Sequence, residues 1–406
     1  MRCGLLGEKL GHSYSPQIHS HLGDYSYTLY EKAPEELEMF LKNGDFTGIN
    51  VTIPYKKAVL PYCSELSKRA QQLGAVNTIV RRKDGTLIGH NTDYFGFQSM
   101  IERSGLSVSG KKVLVLGSGG ASVTAVAVLA ELGATVIVIS RKGENNYTNL
   151  HMHIDASVIV NATPVGMYPH TGVSPVDLNM FPQLEGVLDI VYNPARTQLL
   201  LDAEKRRLKT ENGLWMLVAQ AKESAEWFTG TTISNDKIPY IHNVLQKQME
   251  NIVLIGMPGC GKSTIGKLLS EKLNKSFVDA DAQIIAAAGK SIPEIFHDEG
   301  EAGFRTWETK VLSDLGKKSG HVIATGGGCV TRIENYAHLH QNGRIYWIQR
   351  DVDVLPTDGR PLSQKDKLVQ MYAIRKPMYE SFADKVYIND DTISSIVENI
   401  LKEESV

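Results

Sequence analysis

Short apolar runs alternate along the chain with segments in which apolar residues recur at helical spacing. The runs that predict strands are GINVTI (48–53), KKVLVLG (111–117), TVIVIS (135–140), SVIVN (157–161), GVLDIVY (186–192), NIVLIG (251–256), HVIATGGG (321–328) and RIYWIQ (344–349). The segments that predict helices are 34–43, 93–104, 121–132, 214–229, 263–273 and 306–317. Several runs are apolar almost throughout, which is typical of strands buried on both faces of a sheet. The alternation predicts an α/β architecture with mainly parallel sheets.

The same pattern divides the chain into three predicted domains. Residues 1–104 form one α/β unit, against which helices at 214–249 are expected to pack back. A new strand, glycine turn and helix open a second domain at 105–213, and a different glycine-rich turn marks a third at 250–406. A predicted helix at 236–249 leads almost directly into the third domain without a linker rich in proline, glycine or serine. The order indicates two ancestral chains joined end to end.

One segment could be mistaken for a membrane span. Residues 113–130 carry no charged side chain, and their number is near the lower limit for crossing a bilayer. However, Gly117, Gly119 and Gly120 interrupt the segment, and hydroxyl side chains add polarity. A strand, a glycine loop and a helix describe the pattern better.

The charge balance narrows the classes of partner. The 406 residues include 43 Lys and Arg against 45 Asp and Glu, a net charge of -2. There is no basic excess of the kind that nucleic-acid-binding proteins carry. We therefore expect small-molecule partners, neither nucleic acid nor membrane, and leave open a homo-oligomer.

Cysteine usage and the N-terminus predict a compartment. The four cysteines are scattered without a CxxC pair, which disfavours a zinc site or a disulfide framework and favours a reducing cytosol. The N-terminal segment carries Glu8 and Lys9 where an export signal needs an apolar run. We therefore expect a cytoplasmic protein.

A phosphate-binding loop is predicted at 256–264. The segment GMPGCGKST fits the pattern GxxxxGK[ST] and lies between a predicted strand and a predicted helix. In such a loop, backbone N–H groups and a helix N-terminus surround the phosphates. Lys262 would bridge the outer phosphates and Ser263 would hold Mg²⁺. The candidate ATP contacts are Gly259, Cys260, Gly261, Lys262, Ser263 and Thr264. The alternative is a glycine-rich turn without a ligand.

Polar residues further along could form an acceptor site. Asp279 and Asp281 end the run FVDAD, and an extended chain would point both carboxylates to one side. One could then reach Mg²⁺ and the other a hydroxyl, whereas the alternative is a polar strand end that caps the next helix. Arg305 has Glu308 three residues later, which also predicts an ordinary surface ion pair on a helix. Glycines 326–328 permit either a close backbone approach by a ligand or a tight turn.

As a set, these residues resemble the shikimate kinase family. The motifs GMPGCGKST, FVDAD, FRTWE, ATGGG, GRPL and RKPMYE occur in that family's order across nearly all of 251–406. The resemblance implies that Asp279 helps to position Mg²⁺ and that Arg360 lies in a lid over ATP. The residues that it assigns to shikimate are Asp281, Arg305, Gly327 and Arg375. Two arginines can bind a carboxylate by their fork geometry, and an aspartate can accept the proton of the attacking hydroxyl. The segment 348–362 is short for this family.

A second nucleotide site is predicted near residue 117. The strand is followed by Ser118-Gly119-Gly120-Ala121, which resembles a dinucleotide-binding turn except that Ser122 replaces the third glycine of GxGxxG. The next strand ends before Arg141, where an NAD site usually has Asp or Glu. Arginine suits the 2′-phosphate of NADP instead. Residues 142–160 leave room for one strand and little space for a helix.

Candidate catalytic residues precede this turn. Lys56 follows a strand and a proline, and Asp93 lies at a predicted helix start. Taken singly, Lys56 would be a solvated lysine and Asp93 an N-cap. Ser13 and Ser15, the latter before a proline, would likewise be a helix cap, and Asn77 a turn residue.

Taken together, the motifs of the first half change the interpretation of these single residues. SYS (13–15), INVTIPYK, GAVNT, GHNTD, GSGGA, NATPVGM, DIVYNP and GLWMLVAQA occur in the order found in shikimate dehydrogenases, over about residues 1–245. The resemblance implies Lys56 and Asp93 as the catalytic pair. The implied substrate contacts are Ser13, Ser15, Thr52, Asn77, Tyr192 and Gln220. The implied NADP contacts are Gly117, Ser118, Gly119, Gly120, Ala121, Arg141, Thr163 and Gly213.

The two resemblances together imply a bifunctional enzyme with an N-terminal α/β substrate domain, a Rossmann-like NADP domain and a P-loop kinase domain with a parallel sheet. The first half would reduce 3-dehydroshikimate with NADPH, and the second would phosphorylate the 3-hydroxyl of shikimate with ATP and Mg²⁺. The product of one predicted site is the substrate of the other. Two alternatives stay open: a quinate dehydrogenase that uses NAD in the first half, and a non-catalytic module that senses a metabolite.

Overall fold

The structure, a computed structural model, describes residues 1–11, 13–355, 365–389 and 392–405. The chain divides into two units. The first comprises Met1–Met167, Val173–Tyr192 and Leu199–Val244, and the second comprises Tyr168–Gly172, Asn193–Gln198 and Leu245–Val406. The three domain boundaries taken from the sequence stay predictions.

A mixed six-stranded sheet forms the N-terminal part of the first unit. Its strands are β1 (Arg2–Gly7), β2 (Ser26–Glu31), β3 (Gly48–Val51), β4 (Glu65–Leu66), β5 (Thr78–Arg81) and β6 (Leu87–His90). They lie in the order β2-β1-β3-β5-β6-β4. Strand β5 is antiparallel to β3 and β6, and the other pairs are parallel. This sheet is therefore less parallel than the sequence pattern predicted, because a tight turn at 82–86 folds β5 and β6 into a hairpin.

Four helices accompany this sheet: α1 (Ser15–Ser20), α2 (Leu37–Asn43), α3 (Lys68–Leu73) and α4 (Asp93–Ser104). Helix α4 has the bounds that the sequence predicted. The helix predicted at 34–43 divides into a 3₁₀ turn, Pro34–Glu36, and α2.

A parallel five-stranded sheet follows in the first unit. Its strands are β7 (Lys112–Leu116), β8 (Thr135–Ile139), β9 (Val158–Asn161), β10 (Gly186–Asp189) and β11 (Lys209–Asn212), in the order β11-β10-β9-β7-β8. Val113 and Val115 pack into one hydrophobic core, whereas Leu114 and Leu116 pack into another. Both faces of β7 are thus covered, as its apolar sequence predicted.

The helices of this part are α5 (Gly120–Glu131), α6 (Gln198–Lys205) and α7 (Gly213–Thr229), and the chain continues through α8 (Lys237–Met249), whose last residues belong to the second unit. Helix α7 returns to the first sheet and packs against α4, α1 and β3. The segment 113–130 is strand β7, a glycine loop and most of α5. Across the described ranges, no helix is both long and apolar enough to cross a membrane.

The second unit contains another parallel five-stranded sheet. Its strands are β12 (Asn251–Ile255), β13 (Ser276–Asp279), β14 (His321–Ala324), β15 (Gly343–Gln349) and β16 (Lys385–Ile388), in the order β13-β14-β12-β15-β16. Its helices are α9 (Lys262–Leu273), α10 (Ala280–Ala288), α11 (Ile292–Gly316), α12 (Glu334–His340), α13 (Lys365–Phe382) and α14 (Ile393–Ser405). The helix predicted at 306–317 is the last part of α11, which Gly300 interrupts with φ 69° and ψ -174°.

The four cysteines are free thiols. Cys3, Cys260 and Cys329 are buried, and Cys63 is half-buried. Cys260 lies in the loop between β12 and α9, and Cys329 follows the glycines after β14.

Candidate active sites

A cavity of about 350 Å³ opens in the first unit at the carboxyl end of β3. Lys56 and Asp93 line it, and so do all the residues predicted to contact the dehydrogenase substrate: Ser13, Ser15, Thr52, Asn77, Tyr192 and Gln220. Ala121 and Gly213, two of the predicted NADP contacts, line the same cavity. The structure therefore brings together side chains that are more than 200 positions apart in the sequence.

Lys56 and Asp93 form an ion pair inside this cavity. Lys56 Nζ lies 2.6 Å from Asp93 Oδ2, and their side chains are 30% and 16% exposed. Asp93 is the first residue of α4, and the N-cap is Thr92. The single-residue alternatives, a solvated lysine and an aspartate N-cap, are therefore wrong. A carboxylate at a helix start is stabilised by the helix dipole, and an adjacent ammonium can supply a proton or a positive charge.

Amide side chains form the polar wall of the cavity. Asn77 Oδ1 accepts a hydrogen bond from the backbone N–H of Thr92 (2.8 Å), and Asn77 Nδ2 donates to Thr92 Oγ1 (3.0 Å). Gln220 Nε2 donates to the carbonyl of Leu217 (2.9 Å), within α7. Asn50 also lines the cavity. The sequence did not single out Asn50, although the motif INVTIPYK contains it. These amides suit a ligand with several hydroxyl groups.

The α1 side of the cavity holds two serines and a tyrosine. Ser13 Oγ accepts a hydrogen bond from the backbone N–H of Ser15 (3.2 Å). The N-cap of α1 is Tyr14, without a side-chain cap bond, so Ser15 is the first helical residue rather than the cap. The Tyr14 and Tyr192 rings meet edge to face at 6.3 Å. Burial raises the pKa of Tyr192, so its hydroxyl stays protonated at neutral pH.

The glycine loop after β7 leaves space for a nucleotide. Gly117 has φ 106°, and a Cβ there would lie 2.9 Å from Thr163 Cγ2, so this position needs glycine for the fold itself. A Cβ at Gly119 or Gly120 would meet no described atom within 4 Å. Both glycines are exposed at the start of α5. The open space at the helix N-terminus fits the phosphates of a dinucleotide.

Ser122 takes the position of the third glycine without disturbing the loop. Its side chain is buried, and its hydroxyl donates to the carbonyl of Gly117 (2.7 Å). Thr163, another predicted NADP contact, donates to Asn161 Oδ1 (2.6 Å) beside this loop. The departure from GxGxxG is therefore accommodated by a hydrogen bond inside the loop.

We expect the two kinds of glycine in this loop to respond differently to alanine. Gly119→Ala should raise the KM for NADPH about tenfold or more, because the new methyl group occupies the phosphate space, at a cost of about 1.4 kcal/mol per factor of ten. Its thermal unfolding should match that of the wild type. Gly117→Ala should lower the free energy of unfolding by about 1–2 kcal/mol because of its positive φ. Steady-state kinetics and thermal melts of both variants check this. An unchanged KM in Gly119→Ala would contradict the placement of NADPH.

The adenine side of this site is compact. Arg141 is exposed two residues after the end of β8. Residues 142–160 form one short 3₁₀ helix, Leu150–His153, and the start of β9. The sequence predicted one strand and little room for a helix here, and the structure agrees.

The loop between β12 and α9 borders a cavity of about 510 Å³ in the second unit. Gly256, Gly259 and Gly261 have φ of 141°, 84° and 104°, which glycine adopts without strain. Lys262 Nζ donates to the carbonyls of Gly256 (2.8 Å) and Met257 (3.0 Å). The ammonium is thus held against the loop. Gly259, Gly261, Lys262, Ser263 and Thr264 line the cavity; Cys260 is buried behind it.

A hydroxyl and a carboxylate meet beside Lys262. Ser263 Oγ donates to Asp279 Oδ2 (2.8 Å), and both residues line the cavity. Oxygen ligands of this kind, with water and substrate phosphates, are what Mg²⁺ prefers. Asp279 Oδ1 also accepts from the backbone N–H groups of Asp281 (3.1 Å) and Ala282 (3.3 Å), so it caps α10.

The predicted geometry of the two aspartates is wrong in one respect. Strand β13 ends at Asp279, and Asp281 lies in the first turn of α10, so the carboxylates do not project from one extended chain. The capping interpretation holds for Asp279. Asp281 nevertheless lines the cavity beside Lys262.

A second cavity, of about 530 Å³, adjoins the first in this unit. Asp281, Pro258 and Gly327 line both cavities. Its polar residues include Arg305 and Arg375, and its apolar side consists of Ile292, Pro293, Phe296, Phe304 and Met371. Asp281 therefore lies between the two cavities, where a molecule bound in one could contact a molecule bound in the other.

Arg305 is buried rather than part of a surface ion pair. Its Nη1 lies 2.6 Å from Glu308 Oε2, and the Glu308 residue is 0% exposed. Burial raises the pKa of Glu308, and the nearby Arg305 opposes that shift. The sequence had no signal for this burial, since a spacing of three residues fits an exposed pair equally well.

Each of the three glycines after β14 lies so close to a different residue that a Cβ would collide with it. A Cβ at Gly326 would lie 2.8 Å from Glu308 Oε1, and at Gly327 2.5 Å from Pro258 Cδ. At Gly328 it would lie 2.1 Å from Arg305 Nη2. The Gly327 carbonyl accepts from Arg375 Nη1 (3.1 Å). Close packing within the site therefore favours glycine at these three positions.

Arg360, the predicted lid residue over ATP, lies outside the described residues.

A carboxyl that the sequence analysis did not single out lies near the dehydrogenase pair. Burial, followed by the charge of Glu226, raises the pKa of Glu223 on α7 to about 7, and Asp93 adds to the shift. Among the described residues, Glu223 Oε2 is buried without a hydrogen-bond partner.

Comparison with known proteins identifies both units. Residues 258–404 match the family model for shikimate kinase, and residues 5–79 match that for the shikimate dehydrogenase substrate binding domain. A shikimate dehydrogenase (NADP(+)) of Caldicellulosiruptor saccharolyticus is 34% identical over 277 residues, which span 60% of this chain and 98% of that protein.

Solved structures give the same result for the fold. The shikimate 5-dehydrogenase of Thermus thermophilus, determined with NADP(H) and shikimate, has a TM-score of 0.55 and 31% identity, over 60% of this chain and 99% of that one. The quinate dehydrogenase of Corynebacterium glutamicum, determined with NAD, has a TM-score of 0.55 and 27% identity, over 60% of this chain and 98% of that one.

The predicted Rossmann-like and P-loop architectures, and the cofactors NADP, ATP and Mg²⁺, are confirmed by these matches. The chain therefore belongs to the shikimate dehydrogenase family and continues into a shikimate kinase domain, so that one polypeptide carries two enzymes of the shikimate pathway.

Proposed function

We propose that the cavity around Lys56 and Asp93 reduces 3-dehydroshikimate to shikimate, and that the adjoining cavities of the second unit phosphorylate the 3-hydroxyl of shikimate. The observation that carries the proposal is the Lys56–Asp93 ion pair, in a cavity that Ala121 and Gly213 also line. In the second unit, the corresponding support is Asp281, which lines both cavities.

Ala121 and Gly213 would hold NADPH at the dehydrogenase cavity, where the cofactor would supply a hydride to the carbonyl carbon of the substrate. The carbonyl oxygen gains negative charge, and the Lys56 ammonium stabilises it and donates the proton that completes the hydroxyl. Asp93 pairs with the Lys56 ammonium and fixes its direction through their 2.6 Å contact. Asn77 and Gln220, with the hydroxyls of Ser13, Ser15 and Thr52, orient the substrate by pairing with its polar groups.

Arg141 supports NADP as the cofactor of this site. It is exposed two residues after the end of β8, where a guanidinium can pair with a 2′-phosphate. The likeness to a quinate dehydrogenase that was determined with NAD keeps quinate and NAD as the rival pair. A ratio of kcat/KM that favours NADPH over NADH, and shikimate over quinate, supports the proposal.

In the kinase site, each residue has a separate task. Lys262 binds the outer phosphates of ATP, and Ser263 with Asp279 would hold Mg²⁺, which neutralises phosphate charge during transfer. Asp281 accepts the proton of the attacking 3-hydroxyl. Arg305 and Arg375 bind the carboxylate of shikimate by their fork geometry. The buried Glu308 holds Arg305 in place at 2.6 Å.

We place this enzyme in the cytoplasm, where all four free thiols would stay reduced. Its partners are small molecules, and we infer neither nucleic acid nor membrane among them. Light scattering of the purified protein would measure whether it forms a homo-oligomer.

A single assay tests both activities. The purified full-length chain is mixed with 3-dehydroshikimate, NADPH, ATP and Mg²⁺, and NADPH loss and ADP release are followed separately. We expect NADPH loss without ATP, and ADP release only after shikimate is formed or added. ADP release from added shikimate without any NADPH loss would instead favour the metabolite-sensing alternative, or another cofactor, for the first half.

A further inference from the structure

One serine hydroxyl lies at the centre of the polar network behind the dehydrogenase cavity. Ser224 Oγ donates to the carbonyl of Gln220 in the preceding turn of α7 (2.9 Å). It also accepts from Asn50 Nδ2 (2.8 Å) and lies 2.8 Å from Thr78 Oγ1 and 2.9 Å from Thr92 Oγ1. Ser224, Thr78 and Thr92 are each 0% exposed.

These contacts join four separate elements. Asn50 is on β3, Thr78 is on β5, Thr92 precedes α4, and Ser224 is on α7. A hydroxyl has one proton and two acceptor lone pairs, so Ser224 can serve about three of its four partners at one time. No single side chain could be removed from this network without leaving buried polar groups short of a partner.

The network reaches the substrate side through Thr92. Thr92 Oγ1 receives a hydrogen bond from Asn77 Nδ2 (3.0 Å) and can give its own proton to Ser224 Oγ (2.9 Å), while Asn77 Oδ1 accepts from the backbone N–H of Thr92 (2.8 Å). The amide of Asn77, which lines the cavity, is therefore held at both of its polar atoms. Thr78 Oγ1 donates to the same Asn77 Oδ1 (3.1 Å).

The network also fixes the start of α4. Thr92 is the N-cap of this helix, and threonine at that position usually caps with its hydroxyl. Here the N-cap makes no side-chain cap bond, and its hydroxyl joins Ser224 and Asn77 instead. Asp93 is the next residue, so its backbone position depends on how this network holds Thr92.

We propose that Ser224 is a positioning residue of the dehydrogenase: through Thr92 it holds the Asn77 amide and the first turn of α4 in the arrangement that binds 3-dehydroshikimate beside Asp93. The inference rests on the proposed function of the Lys56–Asp93 cavity. Ser224 itself is buried and does not line the cavity. Its effect should therefore appear in substrate binding and not in NADPH binding.

Ser224→Ala in the full-length enzyme tests the proposal. Loss of the shared partner leaves buried hydroxyl and amide groups unsatisfied, and we expect kcat/KM for 3-dehydroshikimate to fall about tenfold or more. Most of the fall should come from a higher KM for 3-dehydroshikimate, while the KM for NADPH stays within about twofold. The thermal melt of the same preparation shows whether the first unit is folded, and its kinase turnover gives the concentration of active full-length protein.

Thr92 and Thr229 supply the matched variants. Thr92→Val removes the hydroxyl that links Ser224 to Asn77 and should reproduce the Ser224→Ala effect, whereas Thr92→Ser keeps the hydroxyl and should stay within about threefold of the wild type. The double variant Ser224→Ala with Thr92→Val should lose less than the product of the single losses. Thr229→Val is the control, because that hydroxyl on α7 also donates to a carbonyl four residues earlier but lies outside the cavity.

Three results would overturn the proposal. The first is a kcat/KM of Ser224→Ala within about twofold of the wild type. The second is an equal rise in the KM values for NADPH and 3-dehydroshikimate together with a lower melting temperature, which a merely structural role would produce. The third is a wild-type enzyme without NADPH-dependent turnover, which would remove the proposed function itself and is distinguishable because no variant is needed to see it.

Discussion

Replacing Lys56 with methionine should lower kcat for reduction of the dehydrogenase substrate about a thousandfold, within the range that a lost general acid produces. Methionine keeps the length and apolar stem of lysine but has no proton to donate to the developing alkoxide. Asp93→Asn should lower kcat about a hundredfold, because the amide keeps the shape of the side chain but removes the negative charge that pairs with Lys56 and fixes its direction. Stopped-flow measurement of NADPH absorbance, with the substrate saturating, separates the chemical step from product release.

Lys57→Met is the matched control, since this neighbouring lysine is exposed and does not line the cavity. Its kcat should equal that of the wild type. The kinase turnover of all three variants should be unchanged, because their substitutions lie in the first unit. Retention of more than about a tenth of the wild-type kcat in Lys56→Met would exclude this lysine as the proton donor.

Asp281→Asn should lower kcat for shikimate phosphorylation about a hundred- to a thousandfold and leave the KM for ATP nearly unchanged. The asparagine side chain retains the volume between the two cavities of the second unit but cannot accept the proton of the 3-hydroxyl. Lys262→Met, in contrast, removes a positive charge from the phosphate loop and should raise the KM for ATP as well as lower kcat. A coupled assay of ADP release, at several concentrations of each substrate, distinguishes the two patterns.

Asp314→Asn serves as the control for Asp281. This aspartate is on α11, its side chain is 65% exposed, and it pairs only loosely with Lys317 at 3.5 Å. It should behave as the wild type. If Asp281→Asn instead changed only the KM for shikimate, its carboxylate would bind the substrate without acting as the base.

The phosphate loop and the glycine turn could be predicted from the sequence because their function depends on local spacing. In both, the glycines, the preceding strand and the following helix are contiguous in the chain. Prediction from the sequence fails where the direction of a side chain depends on the residue at which a helix begins. FVDAD fits an extended strand and a strand followed by a helix equally well, and the capping bonds of Asp279 decide for the latter.

The sequence also could not predict which side chains are buried by residues far away in the chain. Arg305 and Glu308 have the spacing of an exposed helical pair, yet the glycine run after β14 lies so close to Arg305 that a side chain at Gly328 would displace its guanidinium. Ser224 gave no signal at all, because its four partners come from elements up to 174 positions away. The dehydrogenase set could be assembled only by its resemblance as a whole, since Lys56 and Asp93 taken singly suggest ordinary surface roles.

The placement of the four cysteines bears on how the enzyme withstands oxidants. The thiolate is the form that alkylating and oxidising agents attack. Burial raises the pKa of Cys3, that of Cys63 to about 11 and that of Cys329 to about 12, so these side chains remain thiols at neutral pH. Cys260, although it lies in the phosphate loop, is 0% exposed. Both activities should therefore survive storage in air without added reductant, and a cysteine-directed inhibitor would find no ready target in either half.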